Sequence, residues 1–173
     1  MNNNFKNKWY LLYVKPRHEK KVVKLLLENN IEAFSPMVNV VKQWSDRKKI
    51  VKQPLFPSYV FINVYNSSDF YKPLSIQGVY SFVRLGNERA SVKESEINQI
   101  KLLIENEDLS DIESNDEVFK IGDKTKITHG LLNGLECQII NVNNQNKIIV
   151  RIYSLQKNIT AVLPNHCLSK LYV

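Results

Sequence analysis

In Pro54-Leu55-Phe56-Pro57-Ser58-Tyr59-Val60-Phe61 two prolines bracket an aliphatic–aromatic pair directly ahead of a dense apolar run. Pro54 and Pro57 each lock φ and remove a backbone donor, so a strand cannot run through them. Leu55 and Phe56 therefore sit on a stiffened approach to the strand predicted over 58–64. In that strand Tyr59 and Phe61 share one face by period two, and Val60 and Ile62 share the other. With Val60 and Ile62 turned to a core, an aromatic row of Phe56, Tyr59 and Phe61 is left on the second face. A core accounts for one apolar face; an aromatic row on the other points to a partner.

Upstream, residues 8–14 read as a strand apolar on both faces, hence central, and Pro16 ends it. Residues 17–29 read as a helix. Val22, Leu25, Leu26 and Val23 face inward, while Arg17, Lys20, Lys21 and Lys24 form an outer stripe. Asn29-Asn30 supplies a C-terminal stop. Residues 31–41 are extended and broken by Pro36, residues 44–49 are a polar, basic hairpin tip, and residues 50–53 pair back. Downstream, Ser67-Ser68-Asp69 offers an N-cap for a short helix to about Leu74. Val79 to Leu85 is a strand closed by Gly86-Asn87, and Ser91-Val92-Lys93-Glu94 has the form of a capping box. Ile97, Ile100 and Ile104 follow as the inner stripe of a second helix. This order predicts an α+β first domain, residues 1–107, with an antiparallel sheet carrying its helices on one side.

Residues 108–117 are acidic and poor in apolar side chains, and read as a linker. From Val118 short extended runs alternate with turn clusters such as His129-Gly130, Asn133-Gly134 and Asn143 to Asn146. That spacing predicts a small all-β barrel over 118–173. The β-branched runs 139–142 and 147–153 argue for strands there rather than helices.

The net charge of +7 is unevenly placed. Residues 1–52 carry twelve bases against four acids, residues 53–115 five against nine, and residues 116–173 seven against four. A basic N-terminal block suggests a polyanion, most often nucleic acid. No apolar run approaches the length of a membrane span, and the first residues lack the apolar core of a signal peptide, so a cytoplasmic protein without membrane contact is expected. Cys137 and Cys167 have no metal-ligand spacing and read as small hydrophobes. The five glycines form neither a dinucleotide nor a phosphate-binding loop, and His18, His129 and His166 are dispersed. No nucleophile motif is present. The chain is read as no enzyme, with no cofactor and no metal.

Three motifs in order also carry a family resemblance: Trp9-Tyr10-Leu11-Leu12-Tyr13-Val14-Lys15, then the Pro54–Phe61 run, then Gly78-Val79-Tyr80-Ser81-Phe82-Val83-Arg84-Leu85-Gly86. Together they resemble the N-terminal domain of NusG-type transcription elongation factors. Ile121-Gly122-Asp123 with Gly130-Leu131-Leu132-Asn133-Gly134 resembles the KOW motif that ends such proteins, in an SH3-like barrel. Cys137 stands where the family often has a further glycine. Housekeeping members usually carry Phe-Phe-Pro-Gly-Tyr; Leu55-Phe56-Pro57-Ser58-Tyr59 is more similar to the specialised RfaH group. The runs Lys15–Val22 and Trp44–Lys49 look like UpxY proteins, which are antiterminators of capsular-polysaccharide operons.

The resemblance implies docking on the clamp helices of the RNA polymerase β′ subunit and a bridge to the β subunit. It maps the docking surface to Tyr13, Phe56, Tyr59, Phe61, Leu85 and Ile100. For Leu85 and Ile100 a place in the core fits as well. The non-template DNA strand would meet Lys15, Arg17, His18, Lys20, Lys21, Lys24, Arg47, Lys48 and Lys49. The short helix near Asp69-Phe70-Tyr71-Lys72 lies where relatives touch the opposite polymerase wall. A free C-terminal barrel would recruit a second partner, as housekeeping relatives do with the ribosome or Rho. A monomer is expected. Two alternatives stand: a housekeeping NusG-like elongation factor, and a KOW-bearing RNA- or ribosome-binding protein.

Overall fold

The computed structural model describes residues 8–44, 46–106, 109–115, 124–126, 135–142 and 145–162. The chain divides into two compact units, Met1–Pro36 with Phe56–Ile97, and Met37–Leu55 with Asn98–Val173.

The first unit is built on strand β1, Lys8–Val14. Helix α1, Glu19–Glu28, follows, then the two-residue strand β2, Ala33–Phe34. Strands β3, Met37–Gln43, and β4, Lys48–Pro54, belong to the second unit. The first resumes with β5, Tyr59–Val64. Two 3₁₀ turns, Ser67–Phe70 and Lys72–Ser75, lead to β6, Val79–Phe82. A small hairpin of β7, Arg84–Leu85, and β8, Glu88–Arg89, precedes β9, Ser91–Val92. Helix α2, Glu94–Glu105, comes next.

The antiparallel sheet runs β2-β5-β1-β6, with β9 also paired to β1. β1 is central, as its two apolar faces predict. One face packs against α1: Leu12, Val14, Val60, Ile62 and Val64 share a buried core with Val22, Leu26, Ile31, Ile76 and Phe82. The spacing of Val22 and Leu26 is one helical turn, which puts both on the buried side and leaves Lys20, Lys21 and Lys24 in water.

The second face differs from the sequence reading. Leu11 pairs directly with Phe61 and Trp9 with Asn63, and all four are buried. Phe61 contacts Phe56 at 5.8 Å and Phe34 at 6.0 Å between ring centres. The Trp9 indole N–H donates to the Glu94 carboxylate, bringing the start of α2 to this face. The row of aromatics expected to be free is mostly core.

The predicted short helix at 67–74 appears as the two 3₁₀ turns. Pro73 lacks an N–H, which prevents a continuous α-helix there. The cap is Asn66 rather than Ser67; its side chain accepts from Ser68 N at 3.0 Å, and Asp69 Oδ2 accepts from Asn66 N at 3.2 Å. Helix α2 likewise begins after Lys93, whose N–H donates to Glu96 Oε2 at 3.2 Å. Ile97, Ile100 and Leu103 are its buried stripe.

In the second unit β3 and β4 form a full hairpin, from Met37 opposite Pro54 to Gln43 opposite Lys48. Strands β10, Ser110–Asn115, β11, Lys124–Lys126, β12, Glu136–Val142, β13, Gln145–Ile152, and β14, Lys157–Val162, make an antiparallel sheet in the order β10-β14-β13-β12-β11. The runs 139–142 and 147–152 are strands, as their β-branched content predicts. The acidic stretch read as a linker contributes strand β10. Its two apolar residues explain this: Leu109 and Ile112 are both buried. Asp111 sits at φ 49°, where the β10–β14 register shifts. Such a bulge, with an Asp tolerant of the left-handed region, turns two residues three apart to one side. The sheet is open among the described residues; no pairing closes β10 on β11 into the expected barrel. The Gly122, Gly130 and Gly134 motif and Cys167 lie outside the described residues. Cys137 is buried, and burial pushes its thiol up to about 11.

Candidate functional site

Three tyrosines gather at one end of the first unit's sheet. Tyr13 on β1 faces Tyr59 on β5 directly in register. Their ring centres lie 6.1 Å apart, and Tyr80 on β6 lies 5.6 Å from Tyr13. Tyr13 is 41% and Tyr80 57% exposed, and Tyr59 is half-buried. Along this face the pairs read Trp9/Asn63, Leu11/Phe61, Tyr13/Tyr59. Only the last pair reaches solvent.

The turn before β5 fixes this end. Tyr59 N donates to Phe56 O at 3.2 Å, with Pro57 and Ser58 between them. Ser58 has φ 66°. Pro followed by a positive φ is the arrangement of a type II turn, which favours glycine at the second of these positions. The buried Glu19 carboxylate compensates by accepting from Ser58 N at 2.8 Å. Val14 N donates to Ser58 O at 2.9 Å, tying the turn to β1.

Of the six apolar and aromatic residues expected to dock a partner, Tyr13, Tyr59 and Leu85 reach the surface, Leu85 at 54% exposure. Phe56, Phe61 and Ile100 do not; all three are fully buried. Burial takes each of them away from any partner, and Phe56 folds back on Phe61 because the Pro57 turn reverses the chain between them. Tyr80 was missed. Strict alternation assigns it to the face of Phe82, which is buried. The β1–β6 register steps from Tyr13 opposite Ser81 to Val14 opposite Val79, leaving Tyr80 as the extra residue of a bulge. The bulge re-aims its ring to solvent beside Tyr13.

The basic residues of this unit cluster at the N-terminal end of α1. Lys15, Arg17, Lys20, Lys21 and Lys24 are exposed. Arg17 stands at φ 64° in the turn before the helix. His18 is half-buried, its Nδ1 3.1 Å from Pro16 O, and its backbone carbonyl accepts from Val22 N. Gly78 lets β6 approach here: a Cβ on it would meet Val22 Cγ2 at 3.2 Å, and its φ is +99°. Lys21 donates to Gln77 Oε1 at 3.1 Å, and Lys24 lies 3.9 Å from Glu28 in an exposed pair. In the second unit, Arg47, Lys48 and Lys49 crowd the end of the β3–β4 hairpin, as the sequence places them.

Beyond the 3₁₀ turns, Tyr71 is 72% and Leu74 46% exposed. Arg89 lies over Phe70 at 4.5 Å and Phe82 at 5.4 Å, covering an edge of the core. Among the described residues no group of His, Cys, Asp and Glu is arranged to hold a metal ion, and no helix is long and apolar enough to cross a membrane.

An exposed aromatic cluster and exposed cationic side chains suit macromolecular binding. Residues 7–101 match the family described as "NusG: Transcription termination factor nusG". The fold is similar to that of a solved structure described as "Domain interaction in Thermotoga maritima NusG", with TM-score 0.51 and 25% identity over 91% of this chain and 93% of that one. A second solved structure, "Crystal Structure of MjSpt4:Spt5 complex conformation A", gives TM-score 0.32 and 11% identity over 84% of this chain and 86% of that one, a likeness too slight to bear on function. The family match spans more than half of the chain, and the chain belongs to the NusG family of non-enzymatic transcription elongation factors.

Proposed function

We propose that this chain is an operon-specific elongation factor, an antiterminator that binds RNA polymerase and keeps it processive. The Tyr13–Tyr59–Tyr80 cluster carries the reading. Exposed aromatic rings grouped at one end of a rigid sheet are the residue type and placement that anchor protein interfaces. In this reading the cluster, with Leu85, seats on the clamp helices of the β′ subunit. The 3₁₀ segment with Tyr71 faces the β subunit. Lys15, Arg17, His18, Lys20, Lys21 and Lys24, and the hairpin residues Arg47, Lys48 and Lys49, take the phosphates of the non-template DNA.

The specialised role rests on Ser58. At φ 66° a glycine would be the undemanding choice, and housekeeping relatives carry it. This chain keeps a Ser and supports it with Glu19, in line with the RfaH- and UpxY-like form and a capsular-polysaccharide operon as target. The residues after 117 form a KOW-type domain that meets the ribosome or Rho. The protein works as a cytoplasmic monomer.

Tagged full-length protein expressed in its host should co-purify with RNA polymerase, and sequencing of the associated transcripts should find one or a few long operons. On a purified template the protein should shorten pauses. Association with transcripts of all genes alike would return the protein to the housekeeping role, and binding to free RNA without polymerase would refute the proposal.

A further inference from the structure

The β3–β4 hairpin ends in an arrangement that stability alone does not explain. Lys42 stands directly opposite Lys49, and Lys48 is one pair nearer the tip, opposite Gln43. Like charges opposite each other destabilise an antiparallel pair. The sole acid among residues 37–54 is Asp46, 3.9 Å from Arg47. Among the described residues, none of the three lysines has an ion-pair partner.

Beside them stands Trp44, 51% exposed, whereas the chain's other tryptophan, Trp9, is 2% exposed. Trp44 N donates to Arg47 O at 2.8 Å, which closes the turn and holds the base of the side chain. Lys49 Nζ lies 5.6 Å from the indole centroid, so ring and ammonium occupy the same side of the hairpin. Lys42 shares that side as the partner of Lys49.

We propose that Trp44 stacks on an unpaired nucleotide base while Lys42 and Lys49 hold the flanking phosphates, so that the hairpin tip selects single-stranded over duplex nucleic acid. This rests on the nucleic-acid contact proposed above for the tip and assigns its chemistry. A phosphate relieves the opposed lysines. A base offers the flat face that an exposed indole lacks in water, and any base serves, so the contact is tolerant of sequence. In a duplex the bases are stacked on one another and the ring has nothing to cover. An acidic peptide would satisfy the lysines and leave the indole unused.

The test uses the full chain with four probes: a 12-nucleotide oligothymidylate, an abasic oligomer of equal length, a 12-base-pair duplex, and an oligoglutamate peptide of equal charge. Trp9 is buried, so iodide-quenchable fluorescence reports Trp44. Oligothymidylate should protect that emission; the abasic oligomer and the duplex should not, and protection by the duplex equal to that by oligothymidylate would overturn the single-strand preference. Trp44→Ala should weaken oligothymidylate binding about tenfold without changing its salt dependence. Lys42→Gln with Lys49→Gln should instead lower the salt slope by about 0.7 for each lost contact. Trp44→Ala should leave RNA polymerase capture intact.

Equal affinity of wild type and Trp44→Ala, or of the thymidylate and abasic oligomers, would overturn the stacking role while phosphate contact stands. Preference for an oligoglutamate peptide of equal charge would assign the face to an acidic protein. Absence of salt-dependent binding to any oligomer would remove the nucleic-acid reading itself, and this proposal with it.

Discussion

The Glu19 carboxylate accepts a hydrogen bond from Ser58 N at 2.8 Å, linking the first turn of α1 to the turn that launches β5. Both partners are otherwise costly. A buried carboxylate needs donors, and a non-glycine residue at positive φ carries strain. Each offsets the other, and the result holds Tyr59 opposite Tyr13. An acid in the first helical turn is also favoured by the helix dipole.

Glu19→Ala removes this partner and leaves the Ser58 N–H unsatisfied. The expected loss is about 1–3 kcal/mol of stability, measured by urea unfolding. Ser58→Gly relieves the backbone strain against a smaller cost in chain entropy, and should raise stability by about 0.5–1 kcal/mol. A destabilising Ser58→Gly would mean that the turn is not strained.

Phe61 and Tyr80 separate core from surface among the aromatics. Phe61→Ala should cost about 3–5 kcal/mol, because the ring is fully buried between Phe34 and Phe56. Tyr80→Ala should change stability by no more than about 1 kcal/mol, since the ring is largely exposed. Equal unfolding midpoints for the two variants would contradict this assignment.

The order of elements was legible because its signals are local. Prolines at 16, 36, 54 and 57 mark strand ends, and Val22 with Leu26 marks the buried side of α1. The hairpin was legible too, since a basic, polar run between two apolar stretches has one natural reading. What escaped depends on tertiary contact. Period two shows that Tyr59 and Phe61 share a face, but not that the face is covered at Phe61 and open at Tyr59. Tyr80 escaped because a one-residue bulge reverses the expected direction. Strand β10 escaped because only Leu109 and Ile112 offer apolar burial in an acidic stretch, and a left-handed Asp111 is needed to use both.

Tyr65 supplies a pH-dependent check. Its hydroxyl donates to Glu32, and Asn63 Nδ2 donates to both, at 3.0 Å to the carboxylate and 3.2 Å to the phenol oxygen. The bond to Glu32, then burial, then the Glu32 and Glu94 charges raise the phenol above the ordinary 10.0. A raised value means that the neutral form is favoured by folding. The stabilisation is therefore complete below pH 10 and lost as pH rises through the folded value. Ultraviolet titration should show a phenol ionising above the ordinary 10.0, and Glu32→Gln should lower its value. No such phenol in the wild type would contradict the Glu32 contact.

Docking through the tyrosine cluster is tested most directly by the affinity of the full chain for purified core RNA polymerase, compared with the Tyr13→Ala/Tyr80→Ala variant at equal thermal stability. An aromatic anchor typically contributes ~2 kcal/mol or more, about thirtyfold in affinity. A loss of at least that size is predicted for the variant, with its nucleic-acid binding retained. Unchanged affinity for polymerase would contradict docking through this cluster.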